Sequence, residues 1–126
     1  MEFSQVVLYV FIALAAFYAY KKFQQSRAVK NYTASEVSGM LKKNLSGAVL
    51  LDVRTPNERK TRHIKGSLHI PSYELASRID ELNKFKEKEI IVYCASGSRS
   101  SAAAYTLSKK GFKAANMRGG MSAWNG

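Results

Sequence analysis

Ile90-Ile91-Val92-Tyr93-Cys94-Ala95-Ser96-Gly97-Ser98-Arg99-Ser100 is the stretch whose reading decides the fold of this chain. A β-branched and aromatic run ends at the only cysteine. A tight loop of small residues with one arginine follows, and an alanine-rich segment then reads as a helix. Strand, loop and helix in that order aim loop N–H groups and a helix N-terminus at one sulfur, which favours negative charge there. A thiolate needs such surroundings. The pattern therefore predicts a cysteine nucleophile or sulfur carrier, rather than the inert buried thiol that a free cysteine often makes.

Working outward, the elements alternate. Thr33-Ala34-Ser35-Glu36 reads as a capping box, with Val37, Met40, Leu41 and Leu45 at helical spacing behind it and Gly47 in the next turn. Val49 to Val53 is a short apolar strand of the kind found inside a sheet. Pro56 opens a polar helical turn through Arg62, and Leu68-His69-Ile70 is a brief strand stopped by Pro71. Leu75, Ile79 and Leu82 predict an amphipathic helix before the strand that ends at Cys94. A helix from about Ser100 to Lys110 is capped by Gly111. Ala114 to Met117 reads as a last strand, and Gly119-Gly120 leads into a terminal turn holding Trp124. This order predicts an α/β domain, a small parallel sheet flanked by helices.

The N-terminus is different in kind. Val6 to Tyr20 carries no charged or strongly polar side chain. Counted from Phe3 the run is 18 residues, about 27 Å of helix at a rise of about 1.5 Å per residue. Lys21 and Lys22 can snorkel to make up the shortfall against a hydrocarbon core of about 30 Å. A cleaved signal peptide should open with positive charge and end in small residues, whereas this segment begins Met1-Glu2 and runs into Tyr20-Lys21-Lys22. A core helix should show a stripe, but here apolar residues cover every face. We expect a transmembrane helix over residues 1–23, a juxtamembrane linker over 24–31 and one domain over 32–126. The nearby basic residues all follow the span, so the expected protein is single-pass with its C-terminal domain in the cytoplasm, where a free thiol stays reduced.

Twenty basic against nine acidic side chains give a net charge of +11. Of this, +3 lies in residues 1–31 and +8 in the remaining 95. Such a surface can gather anionic substrates or lie against anionic lipid. Nucleic acid is not an expected partner, because no basic run interleaved with aromatics occurs beyond the membrane-proximal segment. One cysteine excludes an internal disulfide and a CxxC redox pair. Any persulfide on Cys94 must then be resolved by another molecule.

With these residues in place, 32–126 resembles a single rhodanese domain. The resemblance rests on Leu51-Asp52-Val53-Arg54 with Glu58 downstream, on His63 to Pro71, on Ile91-Val92-Tyr93-Cys94 with its loop to Arg99, and on Gly119-Gly120-Met121-Ser122-Ala123-Trp124. One departure is Arg62, where the family commonly has glycine before the His-Ile pair. The resemblance implies sulfur transfer: Cys94 attacks a sulfane sulfur, as in thiosulfate, and a thiol or protein acceptor, or cyanide in an assay, takes the sulfur from the persulfide. Ala95, Ser96, Gly97, Ser98, Arg99 and Ser100 would bind the donor or persulfide through N–H groups, hydroxyls and one guanidinium. Gly97 would supply the positive φ of such a cradle. No cofactor or metal is called for, since His63 and His69 lack partners at ligand spacing.

Loop length separates the competing chemistries. A cysteine phosphatase needs five residues between cysteine and arginine, whereas four separate Cys94 from Arg99. The narrower cradle suits a single sulfur, leaving phosphatase or arsenate reductase activity second. A non-catalytic membrane-tethered adaptor is the alternative from another class. Asp52 and Arg54 are expected to pair internally, with Glu58 a candidate partner for Arg54, and Trp124 to pack in the core or a lid.

Overall fold

The computed structural model describes residues 2–43 and 47–125, and in 25–28 the backbone alone. Five parallel strands form one sheet: β1 (Lys30–Thr33), β2 (Ala48–Asp52), β3 (Leu68–His69), β4 (Glu89–Tyr93) and β5 (Lys113–Arg118), in the order β1-β5-β4-β2-β3. The helices are α1 (Phe3–Ala28), α2 (Ala34–Lys42), α3 (Pro56–Thr61), α4 (Leu75–Arg78) and α5 (Ser98–Lys109). Short 3-10 turns cover Ser72–Glu74, Ile79–Phe85 and Gly120–Ala123.

Alternation along β4 explains the layering. Ile90, Val92 and Cys94 face one core with Leu51, Val53, Ala104 and Leu107, while Ile91 and Tyr93 face a second core with Val37, Leu50, Met117 and Trp124. Both faces of the strand are covered, which is why it reads as a continuous apolar run. The Tyr93 hydroxyl, buried in the second core, accepts from Ile64 N at 3.1 Å and bonds Ser67 Oγ at 2.9 Å. The expected capping box of Thr33 with Glu36 forms at α2, and a second one that the sequence reading did not single out, Thr55 with Glu58, forms at α3. Leu45 lies outside the described residues.

Three expectations change. The 24–31 stretch is not a linker, since α1 continues to Ala28 and β1 begins at Lys30. Good helix formers prolong α1 beyond its apolar run. Asn31 and Tyr32 then pair with Asn116 and Met117, so sheet pairing overrides their polar composition. The amphipathic helix over 75–82 is one turn of α-helix followed by a 3-10 turn that still buries Leu75 and Leu82. Finally, α5 starts at Ser98, two residues early, because Gly97 itself ends the loop with φ 111°.

Within α1, Phe3–Gln24 is long and apolar enough to cross a membrane, and none of its most apolar 18-residue window is buried against the domain. Its far end does meet the domain: Val29 sits in the first core, and Lys22 and Phe23 face the first turns of α5.

Candidate active site: the Cys94 loop

Cys94 follows β4 directly, at the C-terminal edge of the sheet. The neighbouring end of β2 lies across the point where the strand order reverses, between β4 and β2. Open parallel sheets place their ligands at such an edge. Its thiol is fully buried. Gly97 N–H donates to Sγ at 3.0 Å, Ser100 N–H lies at 3.4 Å and the Ser100 hydroxyl at 3.3 Å. Burial would push the thiol up, but hydrogen bonds from the Ser100 hydroxyl and from the N–H groups of Ser100, Gly97 and Ser96 outweigh it and hold the pKa below the ordinary thiol value.

The loop is braced from behind. Met121 N–H donates to Cys94 O at 2.9 Å and Ser122 N–H to Ala95 O at 3.0 Å. Gly120 comes so close that a Cβ there would stand 2.2 Å from the Cys94 carbonyl oxygen, and its φ is +54°. No other residue fits.

The predicted site residues fall into three groups. Cys94, Ser96, Gly97 and Ser100 converge on the sulfur through the contacts just given. Ala95 and Ser98 contribute backbone to the turn and the start of α5, with the Ser98 side chain exposed. Arg99 is half-exposed and gives both terminal nitrogens to the Glu58 carboxylate, at 2.7 and 2.8 Å. That bond brings Glu58 down to about 2, and the Arg99 pKa rises in response to Glu58 and, less, to Cys94. The Glu58 carboxylate therefore pairs with Arg99, while Arg54 meets Glu58 only through its backbone carbonyl, Nη1 donating to O at 3.3 Å.

The Arg54 side chain chelates buried Asp52, with Nε and Nη2 on its carboxylate at 3.0 and 2.9 Å; the Arg54 backbone N–H adds a contact at 2.9 Å and Arg59 another at 3.2 Å. Burial would raise the Asp52 carboxyl, but Arg54 holds it below its usual value. His69 meets Arg54 O at 2.8 Å and His63 meets Arg59 O at 3.2 Å, so both imidazoles engage backbone. Arg62 sits in extended backbone at φ −167°, where glycine has no advantage, and its guanidinium reaches Trp124 O. Among the described residues no three His, Cys, Asp or Glu side chains are grouped to hold a metal ion.

Two asparagines escaped the sequence reading. Asn116, on β5, accepts the Ser100 hydroxyl at 2.6 Å and donates to Asn31 Oδ1 at 2.9 Å; Asn31 in turn donates to Val29 O at 3.0 Å. A polar residue in a strand usually marks a solvent face, but Asn116 is buried. The register Asn31↔Asn116 is what pairs them.

A doubly covered parallel sheet with a hydrogen-bonded thiol at its C-terminal edge defines a class, the α/β domains that carry a cysteine on a strand-to-helix loop. Within that class the family is shown by comparison. The rhodanese-like domain family matches residues 33–126, and the chain belongs to that family. It is 34% identical over 124 residues to the uncharacterized protein YqhL of Bacillus subtilis, covering 98% of this chain and 94% of that one. It is 32% identical over 115 residues to a thiosulfate:glutathione sulfurtransferase of Saccharomyces cerevisiae, covering 79% and 83%. Among solved structures, a rhodanese-like domain protein from Staphylococcus aureus superposes with a TM-score of 0.71 at 29% identity, covering 77% and 92%. The family and its sulfurtransferase members support sulfur transfer as the general chemistry of the site.

Proposed function

We propose that the chain is a membrane-anchored sulfurtransferase, moving sulfane sulfur from a thiosulfate-like donor through a Cys94 persulfide to a thiol or, in an assay, cyanide. The observation that carries this reading is the set of N–H and hydroxyl groups aimed at one buried sulfur. In the first half-reaction the Cys94 thiolate attacks the outer sulfur of thiosulfate. A new S–S bond forms, the donor's S–S bond breaks, and sulfite leaves with its electron pair. The persulfide anion keeps one negative charge, which the Ser96, Gly97 and Ser100 donors then stabilise. An acceptor thiolate attacks the outer sulfur and Cys94 leaves as the thiolate, so no cofactor enters.

Anchoring is supported by the unburied apolar surface of Phe3–Gln24 and by Lys21 and Lys22, which follow the uncharged run ending at Tyr20 and also favour a cytoplasmic domain. On this reading residues 1–23 form the anchor and 24–31 the end of α1 and the start of β1. The adaptor and phosphatase alternatives give different answers to one experiment. The full chain is incubated with thiosulfate and its intact mass is measured. Addition of one sulfur atom, reversed by thiol and absent in Cys94→Ser, is expected. An unchanged wild-type mass, or equal sulfur gain in Cys94→Ser, would overturn the proposal.

A further inference from the structure

A chain of hydrogen bonds runs from the sulfur to the junction of α1 and β1. Cys94 Sγ lies 3.3 Å from the Ser100 hydroxyl, which donates to Asn116 Oδ1 at 2.6 Å. Asn116 Nδ2 donates to Asn31 Oδ1 at 2.9 Å, and Asn31 Nδ2 donates to Val29 O at 3.0 Å. Val29 caps the end of α1, and the register Asn31↔Asn116 sets the two amides side by side on β1 and β5.

The direction of this chain is decided at its far end. A carbonyl oxygen can only accept, so the Asn31 amide must turn its nitrogen to Val29 and its oxygen to Asn116. Asn116 must then turn its nitrogen to Asn31 and its oxygen to Ser100. The Ser100 hydroxyl meets an atom with no proton to give, and commits its own proton there. Its oxygen is left to accept from the Cys94 S–H. Every link points from the thiol toward the backbone, and bonds aligned in this way strengthen one another. Ser100 and Asn116 are both buried. Ionising the thiol therefore has a local cost, because the proton that swings to the sulfur leaves Asn116 Oδ1 without its donor.

We propose that Asn31 and Asn116 are positioning residues for Cys94: they hold the Ser100 proton away from the resting thiol and so set how readily the sulfur ionises. Both act through Ser100. Ser100 can donate to a thiolate and favours it, whereas the asparagine pair restrains that donation. Removing the restraint has the opposite sign to removing Ser100. The inference goes beyond the sulfur-transfer reading, since it concerns the unloaded thiol and needs neither donor nor acceptor. The charged groups around the loop are separate from this chain. Arg99 of α5 is paired with Glu58 of α3, and Lys22 of α1 and Arg118 of β5 line a cavity of about 430 Å³ beside the loop. On β2, Asp52 is held by Arg54 on the opposite face of the strand from Leu51 and Val53. The turn over Gly120–Ala123 carries no titratable side chain.

The test is the pH profile of iodoacetamide alkylation in the full chain, in detergent, read by intact mass. Cys94 is the only cysteine, so the added mass has one source. The midpoint, unlike the rate, does not depend on how easily the reagent enters. Asn31→Leu removes an acceptor that touches neither Ser100 nor the sulfur, and frees Asn116 to turn its nitrogen toward Ser100. Its midpoint is expected below that of wild type, as is that of Asn116→Leu, which removes the acceptor of the Ser100 proton itself. Asn31→Asp keeps an oxygen in front of Asn116 Nδ2 and is expected not to lower the midpoint. In a Ser100→Ala background Asn31→Leu should no longer move the profile, because no hydroxyl proton is left to hold. An unchanged or raised midpoint in Asn31→Leu, a fall in Asn31→Asp, or an equal fall with and without Ser100 would each overturn the proposal. Asn31 is only half-buried, so its variants decide the matter even where Asn116→Leu does not fold.

Discussion

The Ser100 hydroxyl has one proton and three acceptors within reach: Asn116 Oδ1 at 2.6 Å, Gly97 O at 3.1 Å and Cys94 Sγ at 3.3 Å. While the sulfur is a neutral thiol the short bond to Asn116 wins. Once it ionises, the charge strengthens the competing bond, since hydrogen bonds to charged groups are roughly twice as strong as neutral ones. Ser100 thus favours the thiolate, and the sign is fixed: removing it must raise the Cys94 pKa. Ser100→Ala is expected to shift the midpoint of the pH profile of iodoacetamide alkylation upward. The wild-type midpoint is expected below that of a free cysteine, so the reactive form should persist to lower pH. A downward shift in the variant would contradict the geometry.

At the scale of elements, the C-terminal turn is the support of the sulfur loop. Gly120→Ala drives a methyl group into the Cys94 carbonyl and forces a non-glycine residue into φ +54°. We expect a loss on the order of 3 kcal/mol, seen as a Tm lower by about 10 °C or more in thermal unfolding. Much of this scale was legible in the sequence, for stated reasons. The Thr33–Glu36 capping box is local chemistry, β4 and α5 carry strong periodicity, and Gly97 announced its own backbone. What stayed hidden depends on pairing across the chain. Glu58 and Arg99 are 41 positions apart, and Asn31 and Asn116 are 85. Nothing in either segment says they meet. The four residues of β1 are too short and polar to read as a strand without β5 beside them. Leu75, Ile79 and Leu82 bury themselves equally well from a continuous helix or from a broken one, so their spacing could not tell which would form.

For the whole molecule the question is which side of a membrane the cradle faces. Lys22 and Phe23 follow the apolar run by two and three residues and also line the cavity at the loop. A spanning α1 would therefore set the Cys94 loop at the depth of the lipid headgroups, within a turn or so of the hydrocarbon edge. The protein should stay in the membrane pellet through alkaline carbonate extraction. Protease added to sealed inside-out vesicles should remove the domain, while right-side-out vesicles should protect it. Recovery in the carbonate supernatant would refute anchoring, and the reversed protection pattern would refute the orientation.

The strand order β1-β5-β4-β2-β3 also has a consequence for how the protein is made. β5 lies between β1 and β4, so the first strand has no partner in the sheet until residues 113–118 have been synthesised. The turn that carries Gly120, Met121 and Ser122 comes later still, and without it the loop around Cys94 has no brace. By then α1 has long emerged from the ribosome, at about 5–20 residues per second. On the anchored reading proposed above, insertion of the helix would precede closure of the sheet, and the thiol would gain its hydrogen-bonded setting only after the chain is held at the membrane.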